Sequence, residues 1–431
     1  MKFDIVLRNC KIITIDENYE VLRNKNIGIK DGIIKVITEE EIEGVETIKC
    51  KGKIVMPGFV NSHTHIPMAY MRGYADDLPL KDWLEKHIWP TEAKIVKRDN
   101  VKWATMLGIA EMLSFGTSLF LDMYFFEDIV GEVVLQTGIR ASLGEGILNF
   151  PTPSYKNPDE ILSFTKSFAR NYKNNEFIKV SVSPHSPYTC SEKVLKKSFE
   201  LSMEYNLKMH IHVAETENER KLTEKEKGKS PVKYLNEIGV LNKNSILVHM
   251  IWVDEEEIDI LREKGASVIT CPESNAKLGS GVAPLLEYKK NKIKIGIGTD
   301  SVSSNNDLDI LSDAKMAAYL QKAYLSDPSV FNAREVLSML TKDAYSILGW
   351  KKAGIIKEGY KADMVIFNTS NPSSFPYFDP HSLILYSSTG REVETTIVNG
   401  KVLYNKGEYK TIDMERVKYE VKKRIKEMIN I

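Results

Sequence analysis

Short apolar runs alternate along this chain with stretches of helical length. Runs rich in Val, Ile and Leu at 59–63, 117–122, 139–144, 178–183, 208–213, 245–249, 266–270 and 292–297 read as buried strands. Helical stretches lie between most of them. Residues 100–115 follow Asp99, a good N-cap residue, and stop before Gly116. Residues 192–206 follow Ser191 and carry Leu195, Phe199 and Met203 on one expected apolar face. Parallel strands need long crossovers, so this alternation predicts a parallel sheet, and about eight such units predict a closed (β/α)8 barrel of the α/β class. An open doubly wound sheet is the runner-up, and no G-x-G-x-x-G fingerprint supports it.

Both ends of the chain read differently. Residues 3–15, 26–36 and 46–55 are rich in Ile, Val and Thr, with a tight turn expected at Asp31-Gly32. After helical stretches at 307–323 and 332–348, strand patterns return at 362–367 and 394–398, separated by a Pro- and Ser-containing loop at 372–380. The two β-rich ends are expected to pair as one small β-sandwich domain, formed by 1–56 and 353–431, the latter with a terminal helix. The barrel, 57–352, is inserted between them.

Composition narrows the function classes. Of 431 residues, 42% are apolar and 27% charged, an ordinary globular balance. Lys+Arg and Asp+Glu both total 59, so no concentrated positive charge points to nucleic acid. Cys10, Cys50, Cys190 and Cys271 form no C-x-x-C pair, which argues against a disulfide scaffold or a thiolate zinc site and suits a reducing cytoplasm. No signal-peptide core or membrane-length apolar run is present, so a cytoplasmic protein without a membrane partner is expected.

The chemistry lies in the histidines, several of which end expected barrel strands, on the face where barrels carry their active sites. In His63-Thr64-His65 the two imidazoles point the same way on an extended backbone and can reach one metal ion. The motif alone is weak; its place after Pro57-Gly58 and a strand strengthens it. In His210-Ile211-His212-Val213-Ala214-Glu215, His210 reads as a core histidine and His212, nearer the exit, as the ligand. His249 and Asp300 end two further apolar runs, although Asp300 alone could be a helix cap. Four strand ends in register are hard to explain by packing. Three imidazoles and a carboxylate suit one divalent ion, zinc before iron or manganese, which lowers the pKa of water to about 7. Glu215 is placed to move protons beside that water. Trp83 and Trp89 read as packing residues, and His87 and His381 as surface or core histidines. Glu92, in a charged stretch, reads on its own as part of a solvated helix face.

The segments 57–65, 212–215, 247–249 and 298–301, with further similarity at 183–188, 275–279 and 354–363, resemble the amidohydrolase superfamily over nearly the whole chain. The chain is most similar to its mononuclear 5′-methylthioadenosine/S-adenosylhomocysteine deaminases, in particular to those acting on 5′-deoxyadenosine. The resemblance implies that His63, His65, His212 and Asp300 hold the metal. Glu215 then shuttles a proton to purine N1, His249 polarises the attacking hydroxide, and Asp300 accepts the water proton. It further places Glu92 on the ribose hydroxyls, His185 against substrate and Ser304 near purine N7, and suggests a homo-oligomer with a small nucleoside as substrate. The bridging lysine of dinuclear relatives is missing from Val182-Ser183-Pro184-His185, which disfavours a two-metal centre. Where several S-adenosylhomocysteine-using members carry an arginine before the glycine matching Gly146, this chain has Glu145, so a preference for uncharged 5′ groups is expected. Competing readings are a deaminase of another ring (guanine or cytosine), a chlorotriazine hydrolase, or a non-catalytic barrel that binds without reacting. Glu92 favours a riboside over a free base, and an intact ligand set favours catalysis. The H-x-E…P-C-x-x-C pattern of the other zinc deaminase fold is absent.

Overall fold

A computed structural model describes residues 2–429. The eight expected central strands all form, as Phe59–Thr64, Thr117–Tyr124, Arg140–Ile147, Ile178–Pro184, Lys208–Val213, Ser245–His249, Ser267–Thr270 and Ile295–Ile297. They pair in chain order, every pair parallel, and their residues are almost all buried because helices cover the outside and side chains fill the inside. The first and last strands then meet. The Asp300 N–H donates to the His63 carbonyl at 3.0 Å. The Asn61 side chain accepts from the Thr299 N–H at 3.0 Å and donates to Thr299 Oγ1 at 2.8 Å. These bonds close the barrel. The last strand is shorter than expected because Lys292 is in the left-handed region (φ 57°) and turns the chain just before it.

Three local expectations fail for identifiable reasons. Asp99 is not an N-cap: the helix runs Arg98–Ser114, with Asp99 in its first turn. The Asp99 carboxylate instead pairs with Arg424 of the terminal helix Met414–Ile429, whose guanidinium lies 5.7 Å from the centre of the Trp103 ring. In helix Glu192–Tyr205, capped by Ser191, Leu195 is buried but Met203 is 54% exposed, and the covered face runs through Val194, Ser198 and Leu201. The stretch at 332–348 is two helices, Ala333–Met339 and Lys342–Ile347, broken where Thr341 leaves helical geometry (φ −130°, ψ −102°).

The two chain ends meet in a single continuous nine-stranded sheet. Lys53–Pro57, just before the first barrel strand, pairs antiparallel with Met364–Asn368, placing Val55 opposite Ile366. Asp31 and Gly32 both have positive φ (53° and 71°), the geometry of a tight hairpin turn. Arg140 of the third barrel strand is clamped to this sheet by Asp363 at 2.8 Å and Asn399 Oδ1 at 2.8 Å; Arg140 and Asp363 both have side chains closed to water. A buried charge is tolerated only when paired and hydrogen-bonded in this way. No helix among the described residues is long and apolar enough to cross a membrane.

Candidate active site

At the C-terminal mouth of the barrel four donor atoms converge. His63 Nε2 lies 3.2 Å from His212 Nε2 and 3.4 Å from Asp300 Oδ1, and His65 Nε2 lies 3.2 Å from the same carboxylate oxygen. A tetrahedron with zinc–nitrogen bonds of about 2.0–2.1 Å has edges of about 3.3–3.4 Å, so these residues fit such an ion. The tautomers agree. His65 Nδ1 faces the Met123 carbonyl at 2.5 Å and His212 Nδ1 faces the His185 carbonyl at 2.7 Å, so each carries its proton on Nδ1 and turns an Nε2 lone pair inward. His63 Nδ1 lies 2.9 Å from His210 Nε2 and is oriented in the same manner. Lone pairs and a carboxylate aimed at one point repel one another unless a cation lies between them.

Electrostatics sharpen this picture. Burial holds His63 down at about 4 and His212 well below its usual value, so both imidazoles are neutral, as ligands must be. Burial also opposes charge on His65, but hydrogen bonding and attraction to Asp300 outweigh it and raise its pKa to about 9. A cation among these donors would replace that proton. Asp300 is held well below the carboxylate range by His63 and His65 in spite of its burial. Its Oδ2 accepts from Ser274 Oγ at 2.7 Å and from Ser304 Oγ at 3.0 Å. Ala214, His249 and Asp300 all have positive φ (53°, 73° and 62°), rare for residues with a side chain; each bends the chain sharply where a strand leaves the barrel.

Three of the four donor residues, His65, His212 and Asp300, line a cavity. Glu92, Tyr124, His185, Tyr188, Glu215 and His249 line it as well, with Trp83, Trp89, Met123 and Leu148 as apolar wall. Glu215 Oε2 is 3.8 Å from His249 Nε2, and His249 Nδ1 faces Asn275 Oδ1 at 2.9 Å. Burial raises the Glu215 carboxyl, which favours a group able to hold and release a proton near neutrality. Glu92 is only 7% exposed; Tyr124 donates to its Oε1 at 2.5 Å, and burial outweighs that bond and lifts its pKa to about 7.

The Amidohydrolase family pattern matches residues 54–403. A 5-methylthioadenosine/S-adenosylhomocysteine deaminase of Dictyoglomus turgidum is 43% identical over 421 residues, covering 97% of this chain and 98% of the relative. The chain belongs to the amidohydrolase family. A second deaminase of the same name, from Aquifex aeolicus, is 42% identical over 417 residues, covering 96% of this chain and 95% of that one. Among solved structures, an adenosine deaminase from Xanthomonas campestris with bound zinc superposes with a TM-score of 0.97 at 31% identity, covering 100% of this chain and 99% of the other.

Within this amidohydrolase, His63, His65, His212, Asp300, Glu215, His249, Glu92 and His185 come together as the sequence suggested, while others fall elsewhere. Ser304 is not among the cavity-lining residues: it is buried and its hydroxyl is used on Asp300. Glu145 is not in the cavity either. It sits behind the wall, accepting from the backbone N–H groups of Phe126 (3.1 Å) and Glu127 (2.9 Å) and from Ser154, so it cannot repel a substrate tail. Trp83 and Trp89, expected only to pack, line the cavity. His210 is the expected core histidine, with the added task of fixing His63; the H-x-H spacing shared with His212 was the available signal. Two supporting residues gave less warning. Glu219, which accepts from the N–H groups of Ala214 (3.1 Å) and Glu215 (2.8 Å), lies outside the motifs that drew attention, and Asn275, which fixes His249, opens the similar segment 275–279 but was given no role.

Proposed function

We propose that this chain is a zinc-dependent aminohydrolase that converts adenine nucleosides with small 5′ groups to the corresponding inosine compounds and ammonia. The observation that carries this reading is one cavity that joins a zinc-spaced donor set to a proton-holding carboxyl, Glu215, and to a second buried carboxyl, Glu92. His63, His65, His212 and Asp300 would hold the ion, which when bound supplies water that ionises near pH 7. Asp300 would take the proton released from that water, and His249, its Nδ1 turned to Asn275, would polarise through Nε2 the oxygen that adds to C6 of adenine. Glu215 gives a proton to N1 as the ring accepts the electron pair. The exocyclic nitrogen then takes the proton held by Asp300 and leaves as ammonia, while the oxygen on C6 gives its remaining proton back to Glu215 and stays as the carbonyl. Glu92, braced by Tyr124, accepts from the ribose hydroxyls, and His185 borders the sugar.

Among the described residues, the 5′ group meets a wall without cations. No lysine or arginine among the described residues lines the cavity or the groove that continues from it past Leu84, Trp89, Tyr188 and Leu278, whereas Glu85 and Glu217 border the groove. This supports 5′-deoxyadenosine and 5′-methylthioadenosine over S-adenosylhomocysteine, whose carboxylate finds no partner, with adenosine as a further substrate. A reducing cytoplasm suits the four buried, unpaired cysteines. The test is ammonia release by the purified protein from 5′-deoxyadenosine, 5′-methylthioadenosine, S-adenosylhomocysteine, adenosine, adenine, guanine and cytosine. Ribosides with uncharged 5′ groups should have the highest kcat/KM. Faster turnover of a free base would overturn the reading.

A further inference from the structure

The second barrel strand ends in three consecutive residues that all serve the site. Asp122 Oδ1 accepts from Thr64 Oγ1 at 2.6 Å and from the Ile66 N–H at 2.7 Å, gripping the residues on either side of His65. The Met123 carbonyl takes the His65 Nδ1 proton, and the Tyr124 hydroxyl holds Glu92. This strand end is braced from behind by Glu127, whose Oε1 accepts from the Tyr124 N–H at 3.0 Å. Asp122 and Glu127 are both fully buried, and the remaining oxygen of each, Asp122 Oδ2 and Glu127 Oε2, has no donor among the described residues. Burial raises both carboxyls above the usual carboxylate range, and the charge of Asp122 raises Glu127 further. Both outer oxygens are already committed as acceptors, so one proton held between the two inner oxygens would satisfy both.

We propose that Asp122 and Glu127 form a hydrogen-bonded carboxyl pair that positions His65 for the metal and Glu92 for the sugar. Neither residue lines the cavity, so both are positioning residues, acting through Thr64, Ile66 and the Tyr124 backbone. The proposal rests on the reading of His65 as a metal ligand. The pair also explains why two acids sit in a fully closed region without a basic partner among the described residues: a shared proton leaves one net charge, which the Thr64 hydroxyl and the Ile66 and Tyr124 amides solvate.

The geometry dictates an unusual substitution pattern. In Asp122→Asn, the amide oxygen keeps Thr64 and Ile66 and the NH2 group donates to Glu127. In Glu127→Gln, the amide oxygen keeps the Tyr124 N–H and the NH2 group donates to Asp122. Combining the two sets NH2 against NH2. The experiment measures zinc affinity by chelator competition, together with kcat and KM, for both single variants, the double variant, Asp122→Ala and His65→Ala. Each amide single should stay within about threefold of the parent in zinc affinity, since one hydrogen bond replaces another. The double variant and Asp122→Ala should each bind zinc about 10–100-fold more weakly, the usual cost of losing support behind a ligand. A double variant as tight as the singles, or tight zinc binding by a folded Asp122→Ala protein, overturns the proposal. If Asp122→Ala does not fold, the comparison of singles with double decides alone. His65→Ala separates the two ideas: undiminished zinc affinity there overturns the ligand reading itself, whereas loss in His65→Ala with none in the double variant overturns only the positioning role.

Discussion

His63 Nδ1 lies 2.9 Å from His210 Nε2, and both rings are closed to solvent. With a metal on His63 Nε2, the proton of His63 must sit on Nδ1 and point at His210. His210 then holds its own proton on Nδ1, a buried atom without a partner. The contact fixes the His63 ring and its tautomer from below. His210→Phe keeps the ring's bulk but removes the acceptor, so zinc affinity should fall about 10–100-fold. Chelator competition on the folded variant measures this; parent-like affinity would show that His63 needs no such support.

Glu215→Gln should retain zinc and bind substrate while kcat falls by about 10²–10⁴-fold, the range lost with a general acid–base group. An amide can still hydrogen bond the ring but cannot protonate N1. Zinc content and inhibitor binding measured alongside kcat separate this from misfolding, and a parent-like kcat would remove Glu215 from the mechanism.

Glu92→Ala should raise KM for ribosides by losing a charge-assisted hydrogen bond, worth about 1.5–3 kcal/mol. A 2′,3′-dideoxy substrate lacks the diol and should be indifferent to the change. Equal losses on both substrates would place Glu92 outside the sugar contact.

A single ion per chain should be essential. The donors converge on one point, and among the described residues no lysine lines the cavity. Chelation should abolish turnover, and zinc should restore it at one equivalent. Elemental analysis showing two ions per active chain at full occupancy would refute this.

Glu145 is raised to about 7 by burial, more than its bonds to Glu127, Ser154 and Phe126 lower it. The folded chain therefore holds this proton at pH values where the unfolded chain, near 4.5, has released it. Its stabilising effect is fully present below about pH 4.5 and is lost as pH rises through about 7, on the order of 3 kcal/mol over that window. Denaturant melts of Glu145→Gln should show a correspondingly flatter dependence across these pH values. The ratio of kcat/KM between 5′-methylthioadenosine and S-adenosylhomocysteine should not change, because Glu145 does not line the cavity. A changed ratio would contradict that placement.

The barrel was legible because buried parallel strands are apolar on both faces and stand out from the helices around them. The metal residues were legible because polar groups ending such strands have few structural reasons to be there. Glu145 and Ser304 misled for opposite reasons. In strand Arg140–Ile147 neighbouring side chains alternate faces, so if Gly146 borders the cavity, Glu145 must point away from it; parity along the strand held the answer. Ser304 sits in a serine-rich turn whose hydroxyls are consumed by Asp300 and Ser274, a choice set by three-dimensional proximity that a linear pattern does not reveal. Asp99 and Met203 failed as a cap and as a core residue because partners far along the chain, or the lack of any, override local preference. The Asp122–Glu127 pair had no local signature, since two acids five residues apart in a strand-to-helix segment ordinarily face water.

The closing seam of the barrel carries a consequence for how the protein is made. Asn61 and Thr299, whose side chains lock the first strand to the last, are 238 residues apart in sequence, and Asp300 lies beside them. During synthesis the His63-Thr64-His65 segment emerges long before its carboxylate partner exists, and a loop of that span closes slowly. Until the eighth strand docks, the site offers imidazoles only, without the charge that completes it. High-affinity metal capture is therefore deferred to the end of folding, and a nascent or truncated chain should release zinc that the finished molecule retains.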